Sequence, residues 1–143
     1  MTIAKAIERA DELRPNPFSE EQKIRWLSEL DGKIAREVLE NKDFSGYDYA
    51  HDSEAELILE EAYCDIYLFY LAAMIDFFSR DYTEYNNSML MFNEAFSGFL
   101  KAYKRGDAFV NSDQGANEDE KDAEEADSAK GKNTRGKYYI NIF

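Results

Sequence analysis

Residues 66–105, IYLFYLAAMIDFFSRDYTEYNNSMLMFNEAFSGFLKAYKR, predict two long helices joined by a short turn. The first part is apolar over a wide face up to Phe78, as expected of a central helix. The second part repeats large apolar side chains at heptad-like spacings, which predicts a helix from near Tyr82 to just before Gly106 that packs antiparallel against a neighbour. The side chains that form this seam are Tyr85, Met89, Phe92, Phe96, Phe99 and Tyr103.

Two more helices precede this pair. Thr2 is suited to cap a first helix, which Pro15 and Pro17 end, because the residue before a proline is pushed out of the helical region. Ser19, followed three residues later by Gln22, predicts a capping box at the start of a second helix that fades near Asn41. The expected buried stripe of the second helix is Ile24, Leu27, Leu30, Ile34 and Val38.

The next segment, 41–55, is rich in Asp and Ser and predicts a long connection. Aromatic residues alternate with polar ones between Phe44 and Tyr49, so a short strand or hairpin is an alternative there. The third helix is expected to run from Leu57 or Ala62 to Phe78.

The chain divides into three parts. Residues 1–106 predict an all-α, four-helix bundle-like domain. Residues 107–136 are acidic and poor in apolar side chains, which predicts a long flexible tether. Residues 137–143, KYYINIF, are aromatic and β-branched and predict a short β-type docking segment.

Composition excludes several classes of function. The 143 residues contain 30 Asp and Glu against 17 Lys and Arg, which argues against a nucleic-acid binder and against a basic membrane-surface helix. Cys64 is the only cysteine, so the chain fits a reducing cytoplasm, and no apolar run has transmembrane length.

We expect no enzyme, because no catalytic, cofactor-binding or metal-binding motif is present. His51 is the only histidine, and its spacing from nearby carboxylates matches no metal-ligand pattern, so a solvated loop histidine is expected. Cys64 has no histidine near it in the sequence and is expected to be a buried thiol.

With these classes of function excluded, we expect the protein to act by binding other protein subunits. Trp26 lies off the buried stripe of the second helix and is either the edge of the core or an anchor for another subunit. With Trp26, the aromatic residues Phe44, Tyr47 and Tyr49 are the expected subunit interface. We expect the final segment to dock on a sheet edge of a partner, and its residues are Tyr138, Tyr139, Ile140, Asn141, Ile142 and Phe143.

Two stretches resemble a known family. The Arg14–Asn16 break followed by residues 19–32, SEEQKIRWLSELDG, is similar to the N-terminus of head–tail connector (adaptor, or head-completion) proteins of tailed phages and prophages of Gram-positive bacteria. Residues 67–76, with YNNSM at 85–89 and MFN at 91–93, resemble the second helical pair of that family. The tether is longer than in the family pattern.

The resemblance implies a helical protein that assembles as a ring, usually of twelve copies, under the portal protein and extends the DNA channel. It implies the portal, neighbouring copies of the chain and the next neck or tail-completion protein as partners, with the portal binding residues 138–143. It also implies a location at the head–tail junction of the virion, and in the host cytoplasm during assembly. The alternative is an acidic DNA mimic that inhibits a nucleic-acid-binding protein.

Overall fold

The structure is a computed structural model that describes residues 1–111. Within that range it contains four α-helices and no strand, so the predicted all-α class is confirmed for this part of the chain. A short 3-10 turn, Glu61–Tyr63, leads into the third helix. The helices are α1 (Ile3–Leu13), α2 (Glu20–Glu37), α3 (Asp65–Phe78) and α4 (Tyr82–Arg105).

The predicted caps are confirmed at three helix ends. The Thr2 hydroxyl accepts a hydrogen bond from the Lys5 amide at 3.3 Å, and the Ser19 hydroxyl accepts one from the Gln22 amide at 3.2 Å. Gly106 ends α4 with φ of 79°, a left-handed conformation that glycine adopts without steric cost.

The central position of α3 and its antiparallel pairing with α4 are confirmed. The Ser88 hydroxyl of α4 donates to the Asp76 carboxylate of α3 at 2.8 Å. At the other end of the pair, the rings of Tyr63 and Phe99 lie 5.1 Å apart. α3 packs on each of the other three helices, and it is almost wholly buried as a result.

Of the two predicted starts of the third helix, Leu57 is wrong, whereas Ala62 lies in the 3-10 turn that leads directly into α3. Residues 57–59 are extended and buried rather than helical. The Leu57 amide donates to the Met1 carbonyl at 3.0 Å, and the Asn111 amide donates to the Ile58 carbonyl at 2.8 Å. Backbone groups at Met1 and Asn111 therefore provide hydrogen-bond partners for residues 57 and 58, so these residues do not need the hydrogen bonds of a helix.

The connection between α2 and α3 contains no strand at 44–49, so the strand or hairpin alternative is not observed. It begins earlier than predicted, because α2 ends at Glu37 and Glu40 adopts a left-handed φ of 56°. Phe44 then packs over α2, and its ring lies 3.8 Å from the position that a Cβ would take at Gly32. None of the helices in residues 1–111 is long and apolar enough to cross a membrane.

Candidate protein-binding surfaces

A buried carboxylate organises the connection. Asp31 of α2 has no exposed surface, yet its oxygens accept three hydrogen bonds. The Tyr67 hydroxyl donates to Oδ1 at 2.6 Å, the Ile58 amide donates to Oδ2 at 3.1 Å, and the Tyr47 hydroxyl also donates to Oδ2. Asp31 therefore ties two points of the connection, Tyr47 and Ile58, to α2, and it also binds Tyr67 of α3.

Burial dominates the electrostatics of this cluster. Loss of solvation raises the pKa of Asp31 to about 6, although the three hydrogen bonds act in the opposite direction. Burial and the neighbouring carboxylate raise the pKa of Tyr67 and of Tyr47 well above the ordinary range, so both phenols remain donors.

The fastened connection forms one wall of a cleft on the surface of α2. The amide of Tyr47 donates to the Ser28 hydroxyl at 2.9 Å, which holds the backbone of the connection against the helix. The cleft has a volume of 310 Å³. We call it the α2 groove, and its lining residues are Glu21, Ile24, Arg25, Ser28, Glu29, Tyr47, Asp48 and Tyr49.

The structure brings together three of the four residues that the sequence predicted at a subunit interface. The rings of Phe44 and Tyr47 meet edge to face at 5.3 Å, and both side chains are half-buried. Tyr49 is 49% exposed at the rim of the α2 groove. Tyr47 and Tyr49 thus line the cleft, whereas Phe44 supports Tyr47 from behind. Their role in subunit contacts stays a prediction.

Trp26 lies elsewhere and is only 2% exposed. Its ring stacks on that of Phe78 at 5.4 Å with an interplanar angle of 9°. Of the two positions that the sequence allowed, the structure places Trp26 in the core. A partner would therefore meet Phe78, which covers the indole, rather than Trp26 itself.

Phe78 belongs to an exposed aromatic surface at the turn between α3 and α4. Tyr82 is 56% exposed, and Phe78 is 47% exposed. Phe77 joins the two, because its ring lies 5.2 Å from Phe78 and 6.1 Å from Tyr82. Phe18 packs on Phe78 at 6.3 Å and on Trp26 at 5.6 Å, measured between ring centroids. We call Phe18, Phe77, Phe78 and Tyr82 the aromatic corner.

Polar contacts fix the helices beneath the aromatic corner. The Arg14 guanidinium at the end of α1 donates to Glu84 of α4 at 2.7 Å. Its Nε lies 3.2 Å from Asp76 of α3, close enough for an ion pair but without hydrogen-bond alignment. The Lys23 ammonium, 4% exposed, donates to both oxygens of Asp11 at 2.6 and 2.8 Å. Arg14 thus links the end of α1 to α3 and α4, and the Lys23–Asp11 pair links α1 to α2.

His51 and Cys64 take the positions expected of them. His51 is exposed, and its Nδ1 lies 2.6 Å from Asp48, which raises the pKa of the imidazole through a hydrogen bond to the carboxylate. Cys64 is buried, and burial raises the pKa of its thiol to about 11. Within residues 1–111, no group of three or more His, Cys, Asp or Glu side chains is arranged to hold a metal ion.

Sequence reasoning missed the two residues on which these surfaces depend. Asp31 was overlooked, although its place beside Leu30 within the buried stripe of α2 was a signal that a polar group enters the core. The sequence pattern places Phe78 on the apolar face of α3, whereas nearly half of its side chain is exposed.

The predicted portal-binding residues 138–143 lie outside the described residues. No family model, curated protein or solved structure matches this chain.

Proposed function

We propose that this protein is a structural connector of the head–tail junction of a tailed phage, acting without catalysis by binding other protein subunits. It would assemble as a ring under the portal protein, extend the DNA channel and present a face to the next neck protein. The ring, its twelvefold number and its partners come from the resemblance of residues 14–32 and 67–93 to that family.

The aromatic corner is the observation that supports a protein-binding role. Large apolar side chains that remain half exposed on a well-packed domain mark contact surfaces, and aromatic residues are enriched at such contacts. The rigid polar contacts below the corner would present this surface without rearrangement, which lowers the cost of association.

The acidic connection supports the passage of DNA rather than its capture. Between Asp43 and Glu61 the chain carries several carboxylates and neither Lys nor Arg. Carboxylates that face a channel would repel the phosphate backbone and let DNA slide. Binding of DNA at physiological salt by the purified protein would contradict this part of the proposal.

The test of the connector function is assembly on the portal. The purified full chain is mixed with the portal protein encoded by the same genome, and particles are examined by electron microscopy and by light scattering. We expect rings of the chain at one end of the portal. A second sample, a chain that lacks residues 138–143, should remain folded and helical but fail to join the portal. Normal assembly of this truncated chain would show that the segment does not dock, and absence of any association of the full chain would reject the connector function.

A further inference from the structure

Residues 45–52 form a segment of the connection that we call the strap, and it is fastened to α2 near its middle. Tyr47 donates from its hydroxyl to Asp31 and from its amide to the Ser28 hydroxyl at 2.9 Å. The rest of the strap is a turn at 48–52, which is closed by hydrogen bonds among its own residues and is largely exposed. Tyr47 is therefore the side chain through which the strap is bonded to the helix.

The chain on either side of the strap is held independently of Tyr47. Before the strap, the ring of Phe44 packs over Gly32 of α2. After it, the Ser53 carbonyl accepts a hydrogen bond from the Ala4 amide of α1 at 2.9 Å. The strap can therefore leave α2 as a loop between two fixed ends, without unfolding of the helices.

The carboxylate that holds Tyr47 has no positive partner. The three groups that face Asp31 are neutral donors, namely Tyr47 of the strap, the Ile58 amide and Tyr67 of α3. The residues three and four positions away on α2 carry no charge, and no charged side chain in the described part of α1 or α4 affects the pKa of Asp31. An ion that is buried without a counter-charge costs free energy, which either protonation or access of water relieves.

The strap is the most accessible cover of this carboxylate. Ile58 and Tyr67 are at most 1% exposed, whereas Tyr47 is only half-buried. Movement of Tyr47 away from α2 would open one oxygen of Asp31 to water while Tyr67 stays bonded to the other. When Asp31 is protonated, its hydroxyl can donate to the Tyr47 oxygen, and the closed strap then covers no charge.

We propose that the strap is a pH-sensitive latch, which closes over Asp31 when this residue is protonated and opens from α2 more often when it is ionised. The open strap lets water solvate the carboxylate, and the closed strap does not. Because the strap carries one wall of the α2 groove, pH would thereby change the surface that α2 presents. The latch is independent of the connector function and would operate in the isolated chain.

The experiment is hydrogen exchange of the Tyr47 amide, followed by nuclear magnetic resonance on the isotopically labelled full chain at pH 5 and pH 7.5. An unstructured peptide of residues 45–49 gives the exchange rate of the same amide without protection at each pH. Burial raises the pKa of Asp31 from 3.8 to about 6, and solvation in the open strap restores the lower value. The protection of the Tyr47 amide should therefore fall about tenfold between the two pH values.

Two comparisons separate the latch from unfolding of the whole protein and from other effects of pH. The amide of Leu71, in the buried centre of α3, should be much better protected than that of Tyr47 at both pH values, because the strap opens while α3 stays folded. In Asp31→Asn, the protection of the Tyr47 amide should change less than twofold between pH 5 and pH 7.5.

A matched pair of variants tests the fastening itself, whether or not Asp31→Asn folds. Tyr47→Phe removes the hydroxyl that binds Asp31 and should speed exchange of the amide at position 47 at least about fivefold, as expected for loss of one hydrogen bond. Tyr49→Phe removes an exposed hydroxyl from the same strap and should change that rate less than twofold. Equal effects of the two variants, equal protection of Tyr47 and Leu71, or protection of Tyr47 that stays constant or rises with pH would each overturn the proposal.

Discussion

At the scale of single residues, Asp31 has the most consequences for the fold. A charged side chain within an apolar helical stripe suggests an interruption of the core. The structure shows instead that it is the point where the Tyr47, Ile58 and Tyr67 donors converge. Those donors lie 16 to 36 positions away in the chain. Local periodicity therefore could not predict them, although the position of Asp31 was visible.

Replacement of Asp31 by alanine should destabilise the protein strongly. The change leaves two phenol hydroxyls and one backbone amide without their acceptor in the core, at about 1–3 kcal/mol for each buried donor that stays unpaired. We expect a loss of roughly 3 kcal/mol or more in the free energy of unfolding, measured by urea denaturation and circular dichroism. Glu8→Ala, an exposed acidic residue of α1, is the control and should change stability by at most about 0.5 kcal/mol. Equal stability of the two variants would show that the cluster contributes nothing to the fold.

Asp31 should also give a recognisable dependence of stability on pH. Its pKa is about 6 in the folded chain against the ordinary value of 3.8, so the folded state binds this proton more tightly than the unfolded state. The stabilisation that this tighter proton binding contributes is present in full below a pH of about 4, and it is lost as the pH rises through about 6.

The check is the difference in free energy of unfolding between the wild type and Asp31→Asn, which cancels the titration of the other carboxyls. Between pH 4 and pH 7, the free energy of unfolding of the wild type should fall by up to about 3 kcal/mol relative to that of the variant. If the free energy of unfolding of the wild type instead rises relative to that of the variant over this range, the hydrogen bonds to Asp31, rather than its burial, set its pKa.

At the scale of elements, the sequence predicted the helices where local signals were strong. The caps at Thr2, Ser19 and Gly106 and the seam of α4 were correct because each depends on residues within a few positions. The predicted start of α3 at Leu57 was wrong because the structure of residues 57–59 depends on distant partners at Met1 and Asn111. The aromatic corner was missed for the same reason, since its rings come from three separate segments.

Two glycines of α4 should respond to alanine with opposite signs. Gly98 lies inside the helix, and a Cβ there would meet nothing within 4 Å, so Gly98→Ala should stabilise the protein by about 1 kcal/mol through better helix propensity. Gly106 has equally open surroundings, but its φ is 79°, so Gly106→Ala should destabilise by about 1 kcal/mol. Thermal unfolding measures both changes, and the same sign in both variants would contradict a helix that ends at Arg105.

At the scale of the whole molecule, the described residues present two candidate contact sites. The α2 groove lies against the connection, whereas the aromatic corner lies at the turn between α3 and α4. A subunit in a ring needs two different patches that meet on neighbouring copies, or one patch for its own kind and another for a different protein. Composition alone predicted that aromatic residues would serve contacts, but their distribution into two surfaces required the tertiary structure.

The aromatic corner can be tested without disturbing the core. Tyr82 is 56% exposed in the first turn of α4, so Tyr82→Ser removes most of an exposed ring and should change thermal stability little. If the corner is a contact surface, the variant should lose association with the portal or with its own copies, because central aromatic contacts contribute about 2 kcal/mol or more to such interfaces. Leu90→Ser is the matched control, since Leu90 is 59% exposed on the same helix but away from the corner. Light scattering of the assembly mixtures compares the two. A Tyr82 variant that assembles as well as the Leu90 variant would remove the corner from the interface.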